Sequence, residues 1–359
     1  MKETCSLRFN RILIVRSSAV GDVVLALPTL DAIRSSFPQA RIGYIVDERP
    51  YDLIASHPFV DRVHFFPRKR WAATIFRPWR WPATLREIFA LIREMRSERY
   101  DIVLDLQANL KGAFLSILSG ARIRVGFARG YCREGNYWFS HLQVTPPRWP
   151  LHLVEKFLAV AEFLGARPDC LRFPFPESSE SQKRVETFLQ DCGLTTFAVL
   201  HPGSSEARKD KRWIPEYFAE VARRLAVEKG LRCVVCYGPG ERRLAERIVA
   251  ASDGKALLSL PTENLLDLIE LFRRACIFIG TDSGPMHIAA AVGIPCVALF
   301  GSGSPTLYGP YPYPGSHHRL IYKPRRGFSG GMQAITVEEV YEAVVEHLAR
   351  LSKNPTSQA

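Results

Sequence analysis

The sequence predicts a two-domain α/β protein built on parallel sheets, and three observations predict it. Apolar runs of strand length alternate with helix-length periodic stretches along the whole chain. The alternation breaks once, at LRFPFPE (171–177), where Pro174 and Pro176 make an extended linker. The length of 359 residues is long for one domain and comfortable for two.

In the first half, strands are expected at Arg11–Arg16, Ile42–Asp47, Arg62–Phe66, Asp101–Leu106 and Arg122–Phe127. Helices are expected around Asp22–Phe37, Ala83–Arg99, Lys111–Ser119 and Leu151–Leu164. The first helix carries Val23, Leu27, Leu30 and Ile33 at helical spacing, and Pro28 inside it predicts a kink or a displaced start. After the linker, strands are expected at Phe197–His201, Arg232–Tyr237, Ala256–Leu260, Ile277–Thr281 and Cys296–Phe300. Helices follow near Pro215–Glu228, Glu241–Ala251, Glu263–Arg273, Pro285–Val292 and Val337–Leu351. The domains are therefore drawn at 1–172 and 178–335, with a C-terminal helix and tail over 336–359 that could pack back toward the first domain.

Composition excludes several classes. With 47% hydrophobic and 23% charged residues the chain is an ordinary globular protein. No apolar run is long enough for a membrane span, and MKETCSLRFN lacks a signal-peptide core, so a cytoplasmic protein is expected. The eight cysteines are scattered without a disulfide framework. Cys233 and Cys236 form a CxxC inside the strand-like LRCVVCYG, where buried structural thiols are the better reading than a metal or redox pair.

The charge is concentrated. Between Arg62 and Arg99 ten Lys/Arg, Arg68 and Arg70 among them, stand against three Glu, a surplus of seven in a chain whose total is +12. Phe65, Phe66, Trp71, Phe76, Trp79 and Trp81 are interleaved. Basic residues mixed with Trp and Phe suit an anionic membrane surface or lipid headgroup, and could also suit nucleic acid. The bland alternative is a solvated helix face over core aromatics.

Two open α/β domains place a ligand cleft between them, and ligands gather at the C-terminal edges of the strands. The loop ILIVRSSAVGD (12–22) offers small Ser17, Ser18, Ala19 and Gly21 between strand and helix. Asp22 at the helix start is either an N-cap or a carboxylate facing the cleft. GxGxxG is absent, so this is no dinucleotide fingerprint. LHPGSSEARKDKRW (200–213) brings Ser204, Ser205, Lys211 and Arg212 together, a set suited to a phosphate or diphosphate. GTDSGPMH (280–287) ends a strand and opens a helix, placing Asp282, Ser283, Gly284 and His287 at a helix N-terminus. In YGPGE, Glu241 could accept hydrogen bonds from a ribose, or simply favour the helix dipole.

Taken together, ILIVRSSAVGDVVLALPTL, HPGSS with the following KRW, YGPGE and GTDSGPMHIAAAVGIP resemble the ADP-heptose:lipopolysaccharide heptosyltransferases, glycosyltransferase family 9. The matches fall in order over residues 11–301, nearly the whole chain. RYDIVLDLQANLKGA, VGFARGYCREGN and HLVEK are closer to heptosyltransferase I than to II. The resemblance implies a GT-B fold, two Rossmann-like domains facing across a cleft. It implies Asp22 as the catalytic base. On the donor side it implies Ser204, Ser205, Lys211, Glu241, Asp282, Ser283, Gly284 and His287. For the acceptor it implies Arg16, Ser17, Ser18, Gly21, Gln107, Lys111, Arg68 and Arg70. Where the family often has Gln-Gly, this chain has Gln107-Ala108.

The implied reaction is inverting transfer of heptose from ADP-heptose to an anionic acceptor such as Kdo-lipid A, at the cytoplasmic face of the inner membrane. No Asp-x-Asp occurs, so no metal or other cofactor is expected, and fixed cations would carry the leaving diphosphate. The alternatives are a related transferase with another nucleotide sugar or a later acceptor, and a non-catalytic sugar-nucleotide or nucleic-acid binder. Against the last, no RNA-binding aromatic motif or helix-turn-helix pattern is present, and no nucleic-acid partner is expected.

Overall fold

The computed structural model describes residues 9–353 except 75, 149, 168–169, 205, 262–263, 313–316 and 326–329. The chain divides into two compact units, residues 1–177 and 178–359.

The first unit runs β1 (Arg11–Val15), α1 (Val20–Ser36), β2 (Arg41–Val46), α2 (Asp52–Ala55), β3 (Arg62–Phe65), α3 (Arg68–Ala72) and α4 (Trp81–Ser97). It continues β4 (Ile102–Asp105), α5 (Leu110–Leu118), β5 (Ile123–Phe127), β6 (Leu142–Val144) and α6 (Leu153–Phe163). The six strands lie in the order β3-β2-β1-β4-β5-β6, every neighbouring pair parallel. Ile12–Val15 and Ile102–Leu104 are fully buried, as central strands covered on both faces must be.

Pro28 does not displace the start of α1. The helix begins at Val20, ahead of the expected Asp22, and continues through the proline. Residues 23–33 are all buried, so packing on every side, α6 included, offsets the roughly 3 kcal/mol cost of an interior proline. Residues 171–178 carry no regular structure. The linker is pinned to its unit by Arg172 Nε on the buried Asp31 carboxylate (3.2 Å) and by His57 Nε2 on the Pro174 carbonyl (3.0 Å).

The second unit runs α7 (Ser179–Asp191), β7 (Phe197–His201), α8 (Pro215–Lys229), β8 (Arg232–Val235), α9 (Arg242–Ala251), β9 (Ala256–Leu258) and α10 (Leu265–Arg274). Then come β10 (Ile277–Thr281), α11 (Gly284–Val292), β11 (Cys296–Phe300), α12 (Pro305–Tyr308), β12 (Arg319–Tyr322) and α13 (Val337–Lys353). The order β12-β11-β10-β7-β8-β9, again all parallel, repeats the connectivity of the first sheet. It is the Rossmann order in both units. Helix α13 packs on α8, β11 and β12 of its own unit, and Trp213 donates its indole N–H to the Ile335 carbonyl (2.9 Å) beneath it. Cys233 and Cys236 are buried free thiols, and burial pushes both thiol pKa values up.

Candidate active site

Each sheet reverses its strand order once, between β1 and β4 and between β7 and β10. Loops leaving neighbouring strands at such a point diverge and open a crevice at the C-terminal edge. Many of the singled-out residues lie at these two places, Arg70 on α3 being an exception.

In the first unit the β1 and β4 loops are stitched together. Ser17 donates from its backbone N–H (3.0 Å) and its hydroxyl (3.3 Å) to Gln107 Oε1. Gln107 Nε2 donates to the Ser18 carbonyl (3.3 Å), and Lys111 Nζ to the Ser18 hydroxyl (2.8 Å). Beneath them lies buried Asp105. Its carboxylate accepts the N–H groups of Gln107 (2.9 Å) and Ala108 (3.1 Å) and the Asn136 amide (2.7 Å). Burial pushes the Asp105 carboxyl up, while these donors pull it back. A Cβ at Gly112 would run into that carboxylate, so only glycine fits there. Ala108 holds φ +57°, the left-handed conformation that glycine adopts most easily.

Asp22 is not the N-cap of α1, because the helix starts earlier and Ala19 takes that position. Asp22 instead stands at the third helical residue. Its Oδ2 accepts the Ala19 N–H (3.1 Å) and meets Arg16 Nη2 at 2.6 Å. Its Oδ1 has no partner among the described residues, and the side chain remains 24% exposed. One oxygen is thus anchored and the other is open.

Arg16 is buried. Its Nη1 donates to the Leu106 (3.0 Å) and Gln107 (3.3 Å) carbonyls, and its guanidinium carbon lies 5.1 Å from the centre of the Phe157 ring. It is a clamp that fixes Asp22 rather than a cation extended toward solvent. Gly21, in the first turn of α1, is buried. Lys111 feels Asp47, Arg68, Arg16 and Asp22 around it, but burial dominates and lowers its pKa to about 8. Lys156, over the Phe127 ring at 4.5 Å, is likewise lowered to about 8 by burial and then by Arg16.

The two arginines of α3 differ. Arg68 Nε lies 3.6 Å from the buried Asp47 carboxylate. Arg70 is paired with Glu87 at 2.7 Å, and the same Glu87 oxygen accepts the Trp71 indole N–H.

In the second unit, the β7 loop and the β10–α11 turn meet. Lys211 Nζ lies 2.5 Å from Asp282 Oδ2, an ion pair of a largely buried lysine with a buried carboxylate. A Cβ at Gly303 would overlap that carboxylate, so the loop after β11 can close on it only as glycine. Thr281 donates its hydroxyl to the Gly203 carbonyl (3.0 Å), tying the two loops. Ser204 donates to the Arg208 carbonyl (2.8 Å), and Arg212 grips Ser204 through its carbonyl (2.9 Å) and hydroxyl (3.2 Å).

Ser283 is the N-cap of α11, yet its hydroxyl caps nothing and is a buried oxygen without a partner among the described residues. The first-turn N–H groups of α11 have no intrahelical acceptor, so they face the same place. Gly284 begins that helix and His287 is buried within it. Glu241 is turned inward: its Oε2 accepts the Gly238 N–H (2.9 Å) and lies 3.7 Å from His201 Nε2, over a Gly203 where no Cβ could stand. Ser205 lies outside the described residues.

Cations, an open helix N-terminus and a hydroxyl without a partner among the described residues lie together in this unit, a set suited to holding an anion. The first unit offers a carboxylate with one oxygen unpartnered among the described residues, near the half-buried Lys111 and the buried Lys156. Sequence reasoning missed Asp105, Asn136 and Lys156. The signal lay in the chain: an aspartate ending an apolar strand is a buried charge that needs donors, and Asn136 and Lys156 sit in polar strings already singled out. Among the described residues no group of three His, Cys, Asp or Glu is arranged to hold a metal.

Residues 88–325 match the family model described as glycosyltransferase family 9 (heptosyltransferase). The chain is 29% identical to lipopolysaccharide heptosyltransferase 1 of Pseudomonas aeruginosa, over 84% of this chain and 81% of that one. It is 27% identical to the lipopolysaccharide core heptosyltransferase OpsX of Haemophilus influenzae, over 83% and 81%. The E. coli heptosyltransferase WaaC, solved with ADP, superposes with a TM-score of 0.77 at 24% identity, over 94% of this chain and 99% of that one. The two sheets share the GT-B architecture of that structure. The chain belongs to glycosyltransferase family 9, the heptosyltransferase family, and is a transferase.

Proposed function

We propose that this enzyme transfers heptose from ADP-heptose to an anionic sugar of the lipopolysaccharide inner core, the Kdo of Kdo-lipid A, with inversion at the anomeric carbon. The observation that carries the reading is Asp22, with Oδ2 fixed by Arg16 and Ala19 and Oδ1 without a partner among the described residues. A base must be oriented yet keep one oxygen for the proton it takes. As the acceptor hydroxyl attacks, its oxygen bonds to the anomeric carbon and its proton passes to Asp22. The bond from that carbon to the diphosphate oxygen breaks, and its electron pair leaves with ADP.

Lys211, Ser283 and the α11 N-terminus stabilise the departing charge, with fixed donors in the role that a metal plays elsewhere. Asp282 holds the Lys211 ammonium at that turn. Arg16 is a positioning residue. Lys111, Lys156 and Arg68 supply the positive field for the acceptor. The lipopolysaccharide heptosyltransferases among the relatives support the substrate class, and the heptosyltransferase 1 relative supports the first heptose of the core. The enzyme would act at the cytoplasmic face of the inner membrane, where a lipid-anchored acceptor is found.

The test is a transfer assay with ADP-heptose and Kdo₂-lipid A as sole substrates, run with a chelator. An inverted monoheptosyl product is expected. Transfer only from another nucleotide sugar, or only to an acceptor that already carries heptose, contradicts the assignment.

A further inference from the structure

Helix α4 has two unlike halves. Its C-terminal half is rooted: Leu91 and Met95 pack with Leu13, Val15, Ile45, Val103 and Leu115 in the core. Its N-terminal half stands off the body. From Phe76 to Ala90 no described side chain is buried except in part, at Thr84 and Ile88. Phe76 is 89% exposed, Trp79 75%, Phe89 67%, and Trp81 and Leu85 51% each. Single exposed apolar residues are normal, but five large ones over fourteen positions are a patch that calls for a partner.

The patch is ordered. Trp81 donates its indole N–H to the Thr74 carbonyl (3.2 Å), and Thr84 joins Thr74 (3.2 Å) and the Arg80 carbonyl (3.1 Å). Trp81, Leu85 and Phe89 are four apart and form one stripe of α4. Arg86 and Arg93, seven apart, run along its edge, and Arg77 and Arg80 lie in the turn before it.

The charge around this stripe is sorted. Each acidic residue of α4 and its C-cap is engaged elsewhere: Glu87 by Arg70 and Trp71, Glu94 by Arg62 and His64, Glu98 by Arg11 and Arg41. Arg77, Arg80, Arg86 and Arg93 have no acidic partner among the described residues. The exposed side is therefore aromatic and purely cationic.

We propose that Phe76–Arg93 is a membrane-docking element that lays Trp79, Trp81, Leu85 and Phe89 into the headgroup boundary of an anionic bilayer. Guanidinium groups flanking Trp and Phe suit phosphate-bearing headgroups at an interface. A nucleic-acid strand binds along a groove whose aromatics face inward, whereas this is a projecting ridge, the shape that meets a flat surface. The proposal rests on the reading of the acceptor as a membrane lipid. It is measured without donor or acceptor, so it fails separately from that reading.

The test is sedimentation of the full chain with vesicles of phosphatidylcholine mixed with phosphatidylglycerol, and with phosphatidylcholine alone. Wild type should bind the anionic vesicles, with binding weakened by salt, and should not bind the neutral ones. The triple variant Phe76→Ser, Trp79→Ser, Phe89→Ser should lose about tenfold or more of that binding. Replacing Arg77, Arg80 and Arg86 by Gln should lower both the binding and its salt sensitivity. Unchanged melting temperatures, and an unchanged ADP-induced shift, show that the variants fold. Equal vesicle binding by wild type and both variants overturns the proposal. So does a wild type that binds no vesicles but self-associates or retains RNA through this patch.

Discussion

At the scale of the residue, the first-unit site is a set of half-buried charges that hold one another in place. Asp22 is fixed by Arg16, and Arg16 by two carbonyls at the end of β4. The sequence marks Asp22 and Arg16 as site residues, but it could not reveal that they pair, because the pairing depends on α1 starting at Val20. It likewise marks Lys211 and Asp282 without showing that they form one ion pair across 71 residues. Lys111 gives a pH-dependent consequence. Burial lowers its pKa from 10.5 to about 8, so its ammonium is lost as pH rises through about 8. An anionic acceptor then loses an attractive charge. The kcat/KM for the acceptor should fall above pH 8 in the wild type as Lys111 and Lys156, both lowered to about 8, lose their protons, and Lys111→Arg, whose guanidinium stays charged, should lessen that fall. Superimposable pH profiles for the two proteins would contradict it.

At the scale of the element, the strands of the central sheets were legible because continuous apolar runs have one outcome in a sheet covered on both faces. Phe197–His201, Ile277–Thr281 and Cys296–Phe300 agree end to end with β7, β10 and β11. The missed elements give weak signals for physical reasons. Helix α7 buries only Ser181, Val185 and Leu189, a single narrow stripe on a polar helix. Strands β6 and β12 are short edges, half in solvent, with little apolar content to read. In segment 62–99 the aromatics divide: Phe66 and Trp71 pack on the core, while Phe76 and Trp79 are exposed.

The linker after α6 has its own pH dependence. His57 donates from Nε2 to Pro174 and accepts the Phe59 N–H at Nδ1 (3.1 Å), which fixes it neutral, and burial lowers its pKa to about 4. In the unfolded chain an ordinary histidine, at 6.5, takes its proton first. The stabilisation is complete above pH 6.5 and is lost as pH falls toward 4, by at most about 3 kcal/mol. The melting temperature of wild type should therefore drop more steeply over that window than that of His57→Gln. Parallel curves would contradict it.

At the scale of the whole molecule, two units of one connectivity carry two different sets of polar side chains. Each places its ligand loops where its strand order reverses, so the position of both sites follows from the topology. What each site does follows from the side chains there: a carboxylate among lysines in one, and cations beside an open helix N-terminus in the other. The alternation of strands and helices made the fold readable, and the loops after β1, β7 and β10 made most of the site readable. The supporting layer was readable only in part: Asp105 ends an apolar strand, but its meeting with Asn136, and the approach of Lys156 to Arg16, arise only through folding.

The central claim is that Asp22 takes the acceptor proton. Asn in its place keeps an oxygen for the Ala19 N–H and for Arg16, and loses only the basic carboxylate. Single-turnover transfer by Asp22→Asn, beside its melting temperature and its ADP-induced shift, separates chemistry from folding and donor binding. A normal fold, an unchanged ADP shift and a rate lowered by about a hundredfold or more are expected. A rate within about tenfold of wild type, under roughly 1.4 kcal/mol of barrier, would contradict it.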